Sequence, residues 1–161
     1  MAGLVAAREG GRRYDPAMRI LTTGVDGSGR SCVVDVRDVT VDPTAMQRPQ
    51  LDVAYPTTAL PLPTRPPGAA PLLDLGVPVE HCKWDIATFP ANWSAPMHHT
   101  DTIDFDTVLA GQVALVLDDG DHELAPGDVV LITGVDHAWR SGPEGATLSI
   151  VVQGTVPPVD A

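Results

Sequence analysis

The side chains best equipped for chemistry gather in one short stretch, Pro96-Met97-His98-His99-Thr100-Asp101-Thr102-Ile103-Asp104-Phe105. On an extended strand, residues two apart share a face, so His98, Thr100, Thr102 and Asp104 fall together. His99, Asp101, Ile103 and Phe105 take the other face, and its two apolar members mark it as packed against protein. A histidine and a carboxylate on one polar face point to a pocket, with Thr100 and Thr102 as hydrogen-bonding neighbours for a bound molecule. Imidazole titrates near neutral pH, and an adjacent carboxylate raises its basicity and fixes its tautomer. Such a pair can abstract a proton beside a carbonyl, and a second histidine can return one. Further along, Gly134-Val135-Asp136-His137-Ala138-Trp139 supplies that second histidine, with Trp139 at the same strand parity.

The spacing of the surrounding glycines is more specific. Gly120, Pro126-Gly127-Asp128, Gly134 and His137 follow one another in the order of the second cupin motif, with Ser141 where that motif carries Asn. Gly111 matches the closing glycine of the first motif, which puts its acidic position at Asp104 and its first histidine at His98. On these residues the latter half of the chain resembles the cupin superfamily, small double-stranded β-helix barrels with a central pocket. The resemblance implies a barrel over residues 79–156 and a homodimer paired through an N-terminal extension. It also implies a divalent metal, which in a typical cupin is held by three His and one Glu. Here Thr100 stands at the second histidine position and Asp replaces Glu, leaving His98, Asp104 and His137. Two His and one carboxylate match the facial triad of non-haem iron sites, and zinc, manganese or nickel would suit them nearly as well. A register built on Met97 and His99 is the alternative ligand set, but it breaks the alternation that brings ligands to one face. A metal-free site, in which the same residues do acid–base work, stands beside the metal reading; no organic cofactor is expected.

Several further residues have a functional reading and a plainer one. Trp84 and Trp139 are candidates for the walls of a substrate pocket; Trp93 joins them, although a Trp in a chain with so few aromatic residues is more often core. His81 and Cys82 are adjacent and point to opposite faces of a strand, which argues against a nucleophilic couple. His122 reads as exposed in a hairpin. The acidic run Asp118, Asp119, Asp121 and Glu123 lacks the spacing of a calcium loop and reads as a solvated turn.

The elements that must position these groups are short strands. Met18–Thr23 and Ser31–Val36 read as a hairpin around a Gly-rich loop. Repeated prolines from Pro43 to Pro78 forbid a helix or central strand over residues 42–78, so this stretch is expected to wrap the barrel. After Val79, strand-like runs recur at Glu80–Phe89, Ile103–Ala110, Gln112–Asp118, Val129–Thr133, His137–Arg140 and Thr147–Val152, separated by turn residues. Residues 1–14 read as a disordered leader, 15–78 as an extension packing on the barrel and 157–161 as a tail. The fold expected is all-β, a jelly-roll barrel with an N-terminal hairpin and a proline-rich wrap.

Length and charge narrow the function. A chain of 161 residues suits one domain, and no apolar run approaches the length of a membrane span. Twenty-one acidic against ten basic residues give a net charge of −11, which repels phosphate backbones and anionic lipid. Nucleic acid and membrane are therefore not expected partners. The basic cluster Arg8, Arg12, Arg13 and Arg19 reads as solvated leader, and Cys32 and Cys82 as reduced and buried. A cytoplasmic small-molecule enzyme follows, with lyase, isomerase or cyclase chemistry: dehydration, decarboxylation or proton transfer beside a carbonyl. A non-haem metal oxygenase and a non-catalytic binding or sensor module are the alternatives.

Overall fold

The computed structural model describes residues 17–40 and 62–159. The expected leader, residues 41–61 of the proline-rich stretch and the last two residues lie outside it. Among the described residues there is no helix, and so none long and apolar enough to cross a membrane.

Seven strands follow in chain order: β1 (Ala17–Val25), β2 (Ser31–Thr40), β3 (Cys82–Phe89), β4 (Thr102–Leu117), β5 (Gly120–Leu124), β6 (Val129–Ile132) and β7 (Ala138–Gly154). They hydrogen-bond in the order β2-β1-β6-β4-β7-β3, with β5 paired to β4 off that path. β1 and β2 form the expected antiparallel hairpin, closed by Asp26, whose Oδ1 accepts from Ser28 N at 2.8 Å and Arg30 N at 3.1 Å. β1 then joins the barrel by parallel pairing with β6. Arg19 secures that junction: its guanidinium donates to Asp128 Oδ2 at 2.6 Å and its backbone N–H to Asp128 Oδ1 at 3.1 Å. Arg19 is thus a clamp on the Pro-Gly-Asp turn and no part of a solvated leader.

Two long strands make the jelly roll. The first half of β4 pairs with β6 and with the second half of β7, while its last residues pair with β5 and with the start of β7. Isolated bridges from Ser94 to Arg140 and from His98 to His137 extend that second layer. Leu115, Leu117, Leu124 and Trp139 from one layer pack against Val108, Val130, Ile132 and Leu148 from the other in a single core.

The sequence runs Ile103–Ala110 and Gln112–Asp118 are therefore one strand, and His137–Arg140 and Thr147–Val152 belong to one run of pairing as well. The reason lies at Gly111. Register shifts fall between Val108 and Ala110 and between Gly111 and Val113. Gly111 adopts φ 78°, and a side chain there would collide with the Gly145 carbonyl. Inward parity changes across this bend: Thr102, Asp104, Asp106 and Val108 face the core before it, Val113, Leu115 and Leu117 after it.

The described part of the proline-rich stretch, residues 62–78, carries no helix and only two isolated bridges, Leu62 to Thr155 and Leu72 to His99. It lies across the barrel as expected. Arg65, buried, donates Nε to Asp101 at 2.6 Å. Leu62 packs with Ile103, Leu131 and Phe105 on the outer face of the sheet. Neither cysteine is fully buried: both are free thiols, Cys82 exposed on edge strand β3 and Cys32 half-buried.

Candidate functional site

His98 and His137 are brought together by their backbones. Each donates its N–H to the other's carbonyl, at 2.8 Å from His98 and 2.7 Å from His137, and the ring centroids stand 4.4 Å apart. The rings are held alike. Nδ1 of His98 lies 2.9 Å from Pro96 O, and Nδ1 of His137 lies 2.9 Å from Val135 O. A carbonyl oxygen only accepts, so each ring carries a proton on Nδ1, and a neutral ring then keeps its lone pair on Nε2. Burial is the main force on His137 and pushes its pKa down to about 4, with His98 adding repulsion, so this ring is neutral throughout the physiological range.

The carboxyl side of the site is a ladder on β4. Thr102 Oγ1 lies 2.9 Å from Thr100 Oγ1 and 2.5 Å from Asp104 Oδ1. Burial raises Asp104 to about 6, against the lowering effect of the Thr102 hydroxyl. The next inward residue, Asp106, is buried still more completely; its Oδ1 has no hydrogen-bond partner among the described residues, and burial together with Asp104 holds its pKa well above the usual carboxylate range. Its neighbours in register, Val130 on β6 and Ile150 on β7, are apolar. Asp106 is the residue the sequence reading missed, although the parity that selected His98 to Asp104 runs on to it.

Strand parity holds from Thr102 onward but is interrupted before it, because the chain bends at Asp101. His99 consequently turns to the wrap: its Nδ1 is 3.3 Å from Asp136 Oδ1, while Asp136 Oδ2 accepts from Ala69 N at 2.7 Å and Ala70 N at 3.1 Å. Trp139 belongs to the core and meets His137 edge-on at 6.5 Å. Trp84 does not line the interior; it is 71% exposed on β3, its indole N–H bonded to Ser149 Oγ at 2.7 Å. Trp93 stacks on Phe89 at 5.2 Å. His122 is half-buried and paired with Asp119 at 2.7 Å, where the sequence suggested exposure. A cleft of about 420 Å³ at the surface is lined by Gly111, Gln112, Pro126, Pro143 and Glu144, none of them a candidate residue.

A metal would need at least three ligating side chains within reach of one point. Among the described residues no group of three or more His, Cys, Asp or Glu is so placed. Asp104 is engaged by Thr102, Thr100 offers no imidazole, and His99 is held by Asp136. The triad expected of His98, Asp104 and His137, and the alternative through His99, thus do not fit a metal ion as the side chains stand. The arrangement that does exist is two side-by-side imidazoles held through Nδ1, and a buried carboxyl ladder on β4.

No family model matches the chain. Two curated proteins of Diaporthe leptostromiformis, Phomopsin biosynthesis cluster proteins C' and D, are each 46% identical to it over 46 residues, which is 28% of this chain. The match spans 24% of the length of each of those proteins. Among solved structures, the polyketide cyclase RemF from Streptomyces resistomycificus shows 26% identity and a TM-score of 0.42, over 48% of this chain and 57% of that one. A sugar phosphate isomerase of the cupin superfamily from Silicibacter pomeroyi shows 21% identity and a TM-score of 0.41, over 46% and 51% of the two chains. An RmlC-like cupin family protein with a double-stranded β-helix fold from Methanocaldococcus jannaschii shows 20% identity and a TM-score of 0.40, over 49% and 74%.

Proposed function

We propose that this protein is a small-molecule enzyme of the cupin type that moves protons beside a carbonyl group, the step common to lyase, isomerase and cyclase chemistry. The observation that carries this reading is the His98–His137 pair, in which both Nδ1 protons are fixed on backbone carbonyls and His137 is held neutral by burial. A neutral imidazole with a fixed tautomer is a ready general base, and the second ring can return the proton at another atom. Asp104, raised to about 6 by burial, is in part protonated near neutral pH and can donate a hydrogen bond to a carbonyl oxygen that gains charge. Thr100 and Thr102 hold that carboxyl in place. The short likeness to proteins of a biosynthesis cluster supports a biosynthetic setting, in which such proton transfers are frequent steps.

Hydrogen–deuterium exchange at acidic C–H positions tests the proposal. Chelator-treated protein is incubated in D₂O with a panel of β-keto acids, β-keto esters and aromatic ketones, and exchange is followed by NMR. Exchange should survive chelation and fall roughly 10²–10⁴-fold in His137→Ala or His98→Ala. Equal exchange in the parent and both variants, or its complete loss on chelation, would refute the acid–base reading.

A further inference from the structure

β3 (Cys82–Phe89) ends the sheet: it pairs with β7 on one side, and no described strand lies on the other. Edge strands of this kind are usually protected from pairing by charge or covering segments. Here the outward residues include Trp84 and Ile86, 71% and 60% exposed. Trp84 continues an apolar row across the outer face of the sheet, in register with Val151, Phe105 and Leu131. Its indole is held over β7 by Ser149, so the tryptophan is fixed on that outer face. The two charges on the strand, Lys83 and Asp85, stand on either side of it, 3.0 Å apart and half exposed.

We propose that a second copy of this chain adds to β3 in antiparallel pairing about a two-fold axis at Trp84. Charge favours this register over its two neighbours of the same parity. A one-residue slip would set the outer face of one copy against the core face of the other. Among the registers that keep outer face with outer face, an axis at Lys83 places Lys83 opposite its own copy, and an axis at Asp85 does the same for Asp85. Like charges directly opposite destabilise a pair of strands. With the axis at Trp84, Lys83 of each copy faces Asp85 of the other, twice over, and the two Trp84 positions fall opposite each other at the centre. Such an interface is self-complementary, as a two-fold contact must be, and a central Trp is a common anchor of such contacts. It differs from pairing through the N-terminal extension, which the family resemblance implies.

Sedimentation equilibrium of the full chain over a wide concentration range tests this. The parent should be a dimer. Lys83→Asp, which puts like charges opposite each other at two places, should raise the dissociation constant at least tenfold, and Lys83→Asp combined with Asp85→Lys should restore it. Trp84→Glu should give monomers whose thermal melting stays cooperative; if that variant is unfolded, the charge-swap series still decides. A parent that is monomeric at all concentrations overturns the proposal. So does a dimer that is indifferent to Lys83→Asp, or one that the double exchange fails to restore.

Discussion

Asp104 and His137 pull the stability of this protein in opposite directions as pH changes. Asp104 is displaced from 3.8 to about 6 in the folded state, and His137 from 6.5 to about 4. Both displacements come mainly from burial, which penalises whichever form is charged. At about 1.4 kcal/mol per pH unit, each is worth roughly 3 kcal/mol. For Asp104 the folded protein binds its proton more tightly than the unfolded chain, so that contribution is intact below pH 3.8 and lost as pH rises through about 6. For His137 the folded protein binds its proton less tightly, so stability is intact above pH 6.5 and lost as pH falls through about 4. Between about pH 4 and 6 the two slopes nearly cancel. Single variants remove one slope and expose the other. Relative to the parent, Asp104→Asn should gain about 3 kcal/mol of stability between pH 4 and 6, and His137→Gln should lose a similar amount over the same range. Chemical denaturation at half-unit steps of pH, with the slope against denaturant checked for constancy, supplies the measurement. Difference curves that are flat for both variants would refute the assignment of these two groups as buried and displaced.

Other expectations follow from particular contacts. Asp106→Val should stabilise the protein at pH 8 by about 1–3 kcal/mol, read as a higher Tm, because it removes a buried carboxyl whose Oδ1 is unpartnered among the described residues; a lower Tm would mean that Asp106 has a partner in solution. Gly68→Ala should destabilise by about 1–3 kcal/mol, since an added Cβ would collide with Asp136 Oδ1 and His99 Nδ1. Limited proteolysis should then cut residues 62–73 faster than in the parent, and unchanged cleavage would contradict the docking of this wrap on Asp136. Trp84→Ala should leave any C–H exchange activity of each protomer within a factor of a few, because the side chain lies on the outer face; a loss comparable with that of His137→Ala would place Trp84 in the site after all.

The hairpin was legible because it depends on local chemistry, glycines at a turn; that His98 and His137 belong to one site came only from the motif resemblance, since they are far apart in sequence. The bend in β4 was not legible. It rests on Gly111 meeting the Gly145 backbone, a contact between residues far apart in sequence, so the run there looked like two strands. Trp84 was misplaced for a related reason. Period-two alternation assigns a side chain to one of two faces, but only the pairing of β3 at the sheet's edge shows which face meets solvent. His99 is expected on the face packed against protein, but the backbone N–H groups of Ala69 and Ala70 that turn its partner Asp136 into an anchor are invisible in side-chain patterns. Asp106 was within reach of the argument, since parity leads from Asp104 directly to it. An aspartate with apolar neighbours in register on both sides gave no sequence signal of its own.

The most direct test of the account is the protonation of the two imidazoles, read by ¹⁵N NMR of histidine-labelled protein between pH 4 and 8, before and after addition of zinc. At neutral pH His98 and His137 should both carry hydrogen on Nδ1, and His137 should have a bare Nε2. His137 should stay neutral until pH falls to about 4, and stoichiometric zinc should leave both Nε2 signals in place. An Nδ1 without hydrogen on either ring, titration of His137 near its ordinary value, or a shift of both Nε2 signals on adding one equivalent of zinc would contradict the account.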